Sequence, residues 1–227
     1  MSEPDLAHGV DLSWFQKPER IDWDALCLSH SFVILNACDG SVRDPAVAEH
    51  WRHARNVGLT LGLYLFFKPQ EDSVSQFVAF NKIADELRLG PGCLFPCLDL
   101  EDWPGHPIGP EHSNAARLLA NALAARWGGC IIYTSDYYWR QMGMPEWIAD
   151  YPLWVAHHTE AEHPRCPAGM HWAIWQNRVN VMPSIYSGAL DQNVARRPLP
   201  VIHNTEAERA RVLGWISETA DTVRRDQ

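Results

Sequence analysis

The chain has 227 residues, 46% of them hydrophobic and 21% charged, enough for one sizeable core and, by default, one domain. Nineteen Lys+Arg against 28 Asp+Glu give a formal net charge of −9, so a phosphate backbone meets mostly repulsion and nucleic acid is excluded as a partner. No run is long and apolar enough to cross a bilayer, and the opening MSEPDLAHGVDLSW lacks the apolar core of a signal peptide. This predicts a soluble chain made in the cytoplasm, without membrane insertion.

Short apolar runs rich in Val, Ile, Leu and Tyr alternate with longer helical segments, the pattern of a parallel sheet with crossover helices. Strands are predicted over 8–13, 32–37, 60–67, 93–101, 129–134, 152–158 and 171–176, with 187–194 a weaker eighth. Helices are predicted over 44–58, which ends in the C-cap candidate Gly58, and over 72–90 and 112–129. After YTSDYYW the helical segments become short or absent. The fold class is therefore α/β, a TIM-like (β/α) barrel regular in its first half and irregular and helix-poor in its second. Residues 204–227 read as a terminal helix, with Thr205 and Glu208 as a capping box and an apolar stripe of Val212, Ile216, Ala220 and Val223. The domain reading is a barrel over 1–203 and a helix packed on its wall; the alternative is a helix that docks a partner or an export machine.

Six cysteines are spread widely without a CxxC pair, which suits buried thiols in a reducing compartment. Eleven histidines show no HExxH or comparable ligand spacing, so no metal and no cofactor are predicted.

The chemistry is concentrated in LFPCLDLEDWPG (94–105), where an apolar strand carries Asp99 and Glu101. Residues two apart on a strand share a face, so Cys97, Asp99 and Glu101 are read as facing the barrel axis, with Leu98 and Leu100 facing the helices. Asp11, Asp39 and Asp191 stand at comparable positions on other strands, and at the C-terminal rim of a barrel such groups converge on one mouth. Two carboxylates so placed lie about 6.6 Å apart along the backbone, close enough to the separations of both retaining and inverting glycosidases that side-chain rotamers leave the choice open. Crowding and burial raise the pKa of the less solvated acid, which keeps a Glu protonated as a general acid.

HGVDLSWFQ…IDW, FVILNACDG, LGLYLFF, FPCLDLED, IIYTSDYYW, PLWVAHH, WAIWQ and LDQNV, taken in order over residues 8–194, resemble glycoside hydrolase family 25, the Chalaropsis-type lysozymes. The resemblance implies an N-acetylmuramidase that cleaves the β-1,4 bond from N-acetylmuramic acid to N-acetylglucosamine in peptidoglycan. It assigns Glu101 as general acid and Asp99 as its partner, either stabilising positive charge on the sugar or orienting the substrate's own N-acetyl group for attack. Asp11 and Asp191 match acids of the family's cleft. Tyr64, Tyr133, Trp154, Trp175 and Gln176 match positions near the sugar, Asp39 an acid after the second strand, and Trp14 a rim aromatic. Two departures stand out: Tyr64-Leu65-Phe66 replaces the frequent Tyr-His-Phe, which implies a missing polar contact near the site, and NRVNVMPSIYSG follows WAIWQ in place of a Tyr-Thr pair. Competing readings are a glycosidase on chitin-like chains and a non-catalytic sugar-binding barrel. A wall hydrolase without a signal peptide further implies a lysis enzyme or an injected antibacterial effector, reaching the wall after export, injection or lysis, with an immunity protein or export machinery as partner.

Overall fold

The computed structural model describes residues 6–102, 105–167 and 169–203; the predicted terminal helix lies outside them. Strand β1 (Leu6–Leu12) pairs in parallel with β2 (Phe32–Asp39), and β3 (Val42–Arg43) is a two-residue flange on the end of β2. Then β4 (Thr60–Phe66), β5 (Cys97–Asp99), β6 (Ile131–Thr134), β7 (Leu153–Ala156) and β8 (Trp172–Met182) continue the parallel sheet, and β9 (Tyr186–Arg196) joins β8 to β1 and closes an eight-stranded barrel.

β9 runs antiparallel to both neighbours, a departure from the parallel pattern that falls in the half expected to be irregular. Only Pro183, Ser184 and Ile185 separate β8 from β9, whereas a parallel return needs a crossover of a dozen or more residues. The weak eighth strand is in fact one of the longest, and its hairpin projects past the barrel rim.

The three predicted helices are α2 (Val47–Asn56), α3 (Ser73–Leu87) and α4 (Ser113–Trp127). The sequence reading omitted α1 (Trp23–Ser29), which precedes β2, and the short α5 (Asp136–Gln141). Asp22 caps α1 by accepting from the Ala25 N–H at 2.9 Å and Asp72 caps α3 through Ser75, each satisfying a donor that the first helical turn leaves free. Between β7 and β8 there is no helix among the described residues.

The predicted strand 93–101 is shorter than expected because Pro96 has no N–H to give the ladder. Its first part keeps a single bond to β4, from the Leu94 N–H to Leu61 O at 2.8 Å, and bridges antiparallel to the chain near Val201, Cys93 accepting from the Ile202 N–H at 2.7 Å. Its second part is β5, extended one residue by the Leu100 N–H bond to Tyr133 O. Glu101 therefore sits on the bend just beyond the strand.

Alternation along these strands divides the core. Leu65, Leu98 and Ile132 lie side by side in register, all fully buried, on the helix-facing side, while Phe66, Asp99 and Tyr133 form the adjoining row on the axial side. Leu65 thus points away from the axis, so the Tyr-Leu-Phe departure removes no polar contact there. At Gly9 a Cβ would fall 2.4 Å from the Phe32 ring, so only glycine lets β1 approach β2 this closely.

Candidate active site

Three strands deliver four acids to one end of the barrel. Asp11 on β1 stands directly opposite Asp191 on β9, Asp99 ends β5, and Glu101 follows on the bend. All four line a cavity of about 300 Å³. Tyr64, Tyr133, Trp154 and Gln176 complete its floor and walls, so eight of the eleven residues singled out in the sequence meet here.

Three do not. Trp175 is the strand neighbour of Gln176, and adjacent strand residues face opposite ways; with Gln176 inside, the Trp175 indole turns out, donating from Nε1 to His157 O at 2.8 Å and resting edge-on against Trp172. Trp14 stands on the lip, where its ring stacks on Phe15 at 4.0 Å and its backbone N–H is tied to Asp44. Asp39 accepts from Asn36 Nδ2 at 2.7 Å beside the cavity, near enough for its charge to act on Asp99.

Ser13, Phe15 and Gln16, on the loop after β1, line the mouth and were not among the sequence candidates. That loop is pinned from below: His50 Nε2–H donates to Gln16 O at 2.8 Å, and burial lowers the His50 pKa to about 4, which keeps the ring neutral. The lip aromatic facing the cavity is Phe15, 67% exposed, whereas Tyr133 and Trp154 are 7% and 2% exposed. The latter pair, edge to face at 4.6 Å, is floor rather than open platform. The signal for Phe15 was available: an aromatic pair placed immediately after a strand that delivers an acid.

A directed hydrogen-bond chain crosses the floor. Trp154 Nε1–H donates to Asn193 Oδ1 at 2.8 Å, and Asn193 Nδ2 donates to Asp11 Oδ2 at 2.7 Å. From the other side, the Tyr133 hydroxyl donates to Gln176 Oε1 at 3.0 Å, and Gln176 Nε2 donates to Asp11 Oδ2 at 3.0 Å. An indole N–H can only donate, so it fixes which way the Asn193 amide points.

The acids titrate abnormally because they are buried together. Burial, then the charge of Asp191, raises the Asp11 carboxyl to about 8 against the opposing pull of its two amide donors. Burial, then Glu101, holds Asp99 well above the ordinary carboxylate range. Glu101 is pushed up to about 7 by burial and by the adjacent Asp102 and Asp191. Asp191 is raised by burial, partly offset by His158. A Glu titrating near neutrality holds a proton it can give up at working pH, the property a general acid requires.

Asp99 Oδ1 is buried with no hydrogen-bond partner, a costly condition that a ligand N–H or O–H would relieve. Among the described residues no group of three or more His, Cys, Asp or Glu is arranged to hold a metal ion. All six cysteines are free thiols, with Cys38, Cys97 and Cys130 buried.

The family model for glycosyl hydrolases family 25 matches residues 10–181. The chain belongs to glycosyl hydrolase family 25. It is 27% identical over 194 residues to the uncharacterized protein YegX of Escherichia coli O6:H1, covering 82% of this chain and 68% of that one. It is also 27% identical over 220 residues to lysozyme M1 of Streptomyces globisporus, covering 87% and 71%. The bacterial lysozyme of Streptomyces coelicolor superposes with a TM-score of 0.71 at 23% identity, over 94% of this chain and 98% of that one. As a family 25 member the chain is a glycoside hydrolase, and the irregular half of its barrel is the family 25 form.

Proposed function

We propose that this family 25 enzyme is an N-acetylmuramidase, cleaving the β-1,4 bond between N-acetylmuramic acid and N-acetylglucosamine in peptidoglycan, with Glu101 as general acid. The observation that carries the reading is the pairing of an unpartnered, buried Asp99 Oδ1 with a Glu101 held near pKa 7 on one cavity wall. Glu101 donates its proton to the leaving glycosidic oxygen as that bond breaks. The acetamido oxygen of the same sugar closes on the anomeric carbon, and Asp99 Oδ1 accepts the acetamido N–H as positive charge builds on the ring so formed. Water then opens the ring while Glu101 takes up its proton, restoring both acids. Substrate assistance of this kind is a known exception to the two-carboxylate scheme, and a crowded, protonation-prone Asp99 suits it better than direct nucleophilic attack.

In this reading the chain works as a lysis enzyme or an injected antibacterial effector, reaching the wall after export, injection or lysis, with an immunity protein or export machinery as its protein partner. The experiment is clearing of a purified peptidoglycan suspension alongside a chitin suspension. Clearing of peptidoglycan alone supports the muramidase. Clearing of chitin alone favours the chitin-like substrate, and binding to either without clearing favours a sugar-binding barrel.

A further inference from the structure

His158, two residues past the end of β7, was not among the site candidates, yet its Nε2 lies 3.1 Å from Gln176 Oε1. That oxygen already accepts from the Tyr133 hydroxyl. An amide oxygen has two lone pairs and no proton, so both are used and His158 must present Nε2–H rather than a bare nitrogen. With its oxygen held from two sides, the Gln176 amide cannot turn over without setting its NH₂ against two donors and losing its bond to Asp11 Oδ2.

The opposite arm is fixed by the Trp154 indole through Asn193. The two side-chain amides that end the chain are therefore aimed at the same oxygen, Asp11 Oδ2, and Oδ1 is the Asp11 atom left to the cavity. His158 also lies close enough to Asp191 for a proton gained by its ring to oppose the burial that raises that acid, and Asp191 faces Asp11 across the β1–β9 ladder.

We propose that His158 is a positioning residue of the hydrolytic site: by holding Gln176 Oε1 it directs the Gln176 amide onto Asp11 Oδ2, so that Asp11 Oδ1 is the atom presented to the glycan. The inference rests on the muramidase reading for its activity readout and on the hydrogen-bond chain alone for its structural one.

The test combines His158→Leu, His158→Gln, Gln176→Leu and the Leu/Leu double variant in initial-rate assays on peptidoglycan, with ¹⁵N NMR of the imidazoles. His158→Leu should lower kcat/KM about tenfold, the fold-change of roughly one hydrogen bond. His158→Gln, whose amide N–H reaches about where Nε2 does, should recover most of that loss. Adding His158→Leu to Gln176→Leu should cost less than about twofold more, because the interaction partner is already gone. The NMR should show His158 protonated at Nε2 in the wild type and lose that preference in Gln176→Leu. A glutamine variant as slow as the leucine variant, losses that multiply in the double variant, or a His158 ring protonated only at Nδ1 would overturn the proposal. Absence of wild-type hydrolysis would instead strike the muramidase reading, and the imidazole tautomer would still decide the positioning bond.

Discussion

The two halves of the barrel are built differently and contribute differently. From β1 to β6 the barrel strands pair in parallel with one another and helices fill the connections between them, and this half places Asp99 and Glu101 at the end of β5. From β7 to β9 the helices recede, the last strand reverses, and an 11-residue hairpin pair stands past the rim. That half contributes amides and one indole, namely Gln176, Asn193 and Trp154, that address Asp11 from β1. The regular half holds Asp99 and Glu101, and the irregular half wires their neighbour Asp11 and adds Asp191 from β9. A β-hairpin serves the second task because alternate residues on two adjacent strands bring several side chains to bear on one carboxylate.

If this division holds, substitutions in the first half should remove chemistry and substitutions in the second should degrade it. The largest effect is expected for Glu101→Gln, which keeps shape but cannot donate a proton. Peptidoglycan hydrolysis should fall by ~10²–10⁴-fold with circular dichroism unchanged. In the wild type, kcat should decline as pH rises through about 7, where Glu101 loses its proton, and retention of full rate well above that pH would remove Glu101 as the acid. Asp99→Asn comes next, with kcat down by about 10²-fold and KM little changed, since the lost interaction is strongest in the transition state. Mass spectrometry of the intact protein should find no glycosyl ester on Asp99; finding one would replace substrate assistance with a covalent mechanism and blur the contrast between Asp99 and Asp11.

In the second half, Asn193→Leu should cost about tenfold in kcat/KM, in line with one charge-assisted hydrogen bond, and a loss matching that of Glu101→Gln would erase the distinction between halves. The smallest effect is on stability. Asp11 is raised from 3.8 to about 8 in the folded chain, so between those values the native state binds more protons than the unfolded state. Stability from this group is present below about pH 4 and is lost as pH rises to about 8. Asp11→Asn cannot titrate, so its melting temperature should draw ahead of the wild type across that window, by roughly 2–4 °C per kcal/mol for a domain of this size. A constant or shrinking gap would show that burial does not hold Asp11 neutral.

The acids were legible because a charge inside an apolar strand is expensive and invites a functional explanation, and the three main helices because their apolar spacing and end signals agree. Trp175 was misplaced because motif matching treats neighbours alike, whereas strand alternation admits only one of Trp175 and Gln176. The direction of β9 is readable from the three-residue Pro183-Ser184-Ile185 link, and α1 from Asp22 before a septet with five apolar residues. Asn193 and His158 lie within the LDQNV and PLWVAHH runs, but nothing local gives either a role: what makes them matter is a partner elsewhere in the fold, Trp154 and Asp11 for the first and Gln176 for the second.

The most direct test of the central claim is to identify the sugar at each new reducing end when purified peptidoglycan is treated with the wild type and with Glu101→Gln, using borohydride reduction and mass analysis. A muramidase with Glu101 as its acid leaves reduced N-acetylmuramic acid ends with the wild type and essentially none with the variant. Reduced N-acetylglucosamine ends, or undiminished release by Glu101→Gln, would contradict it.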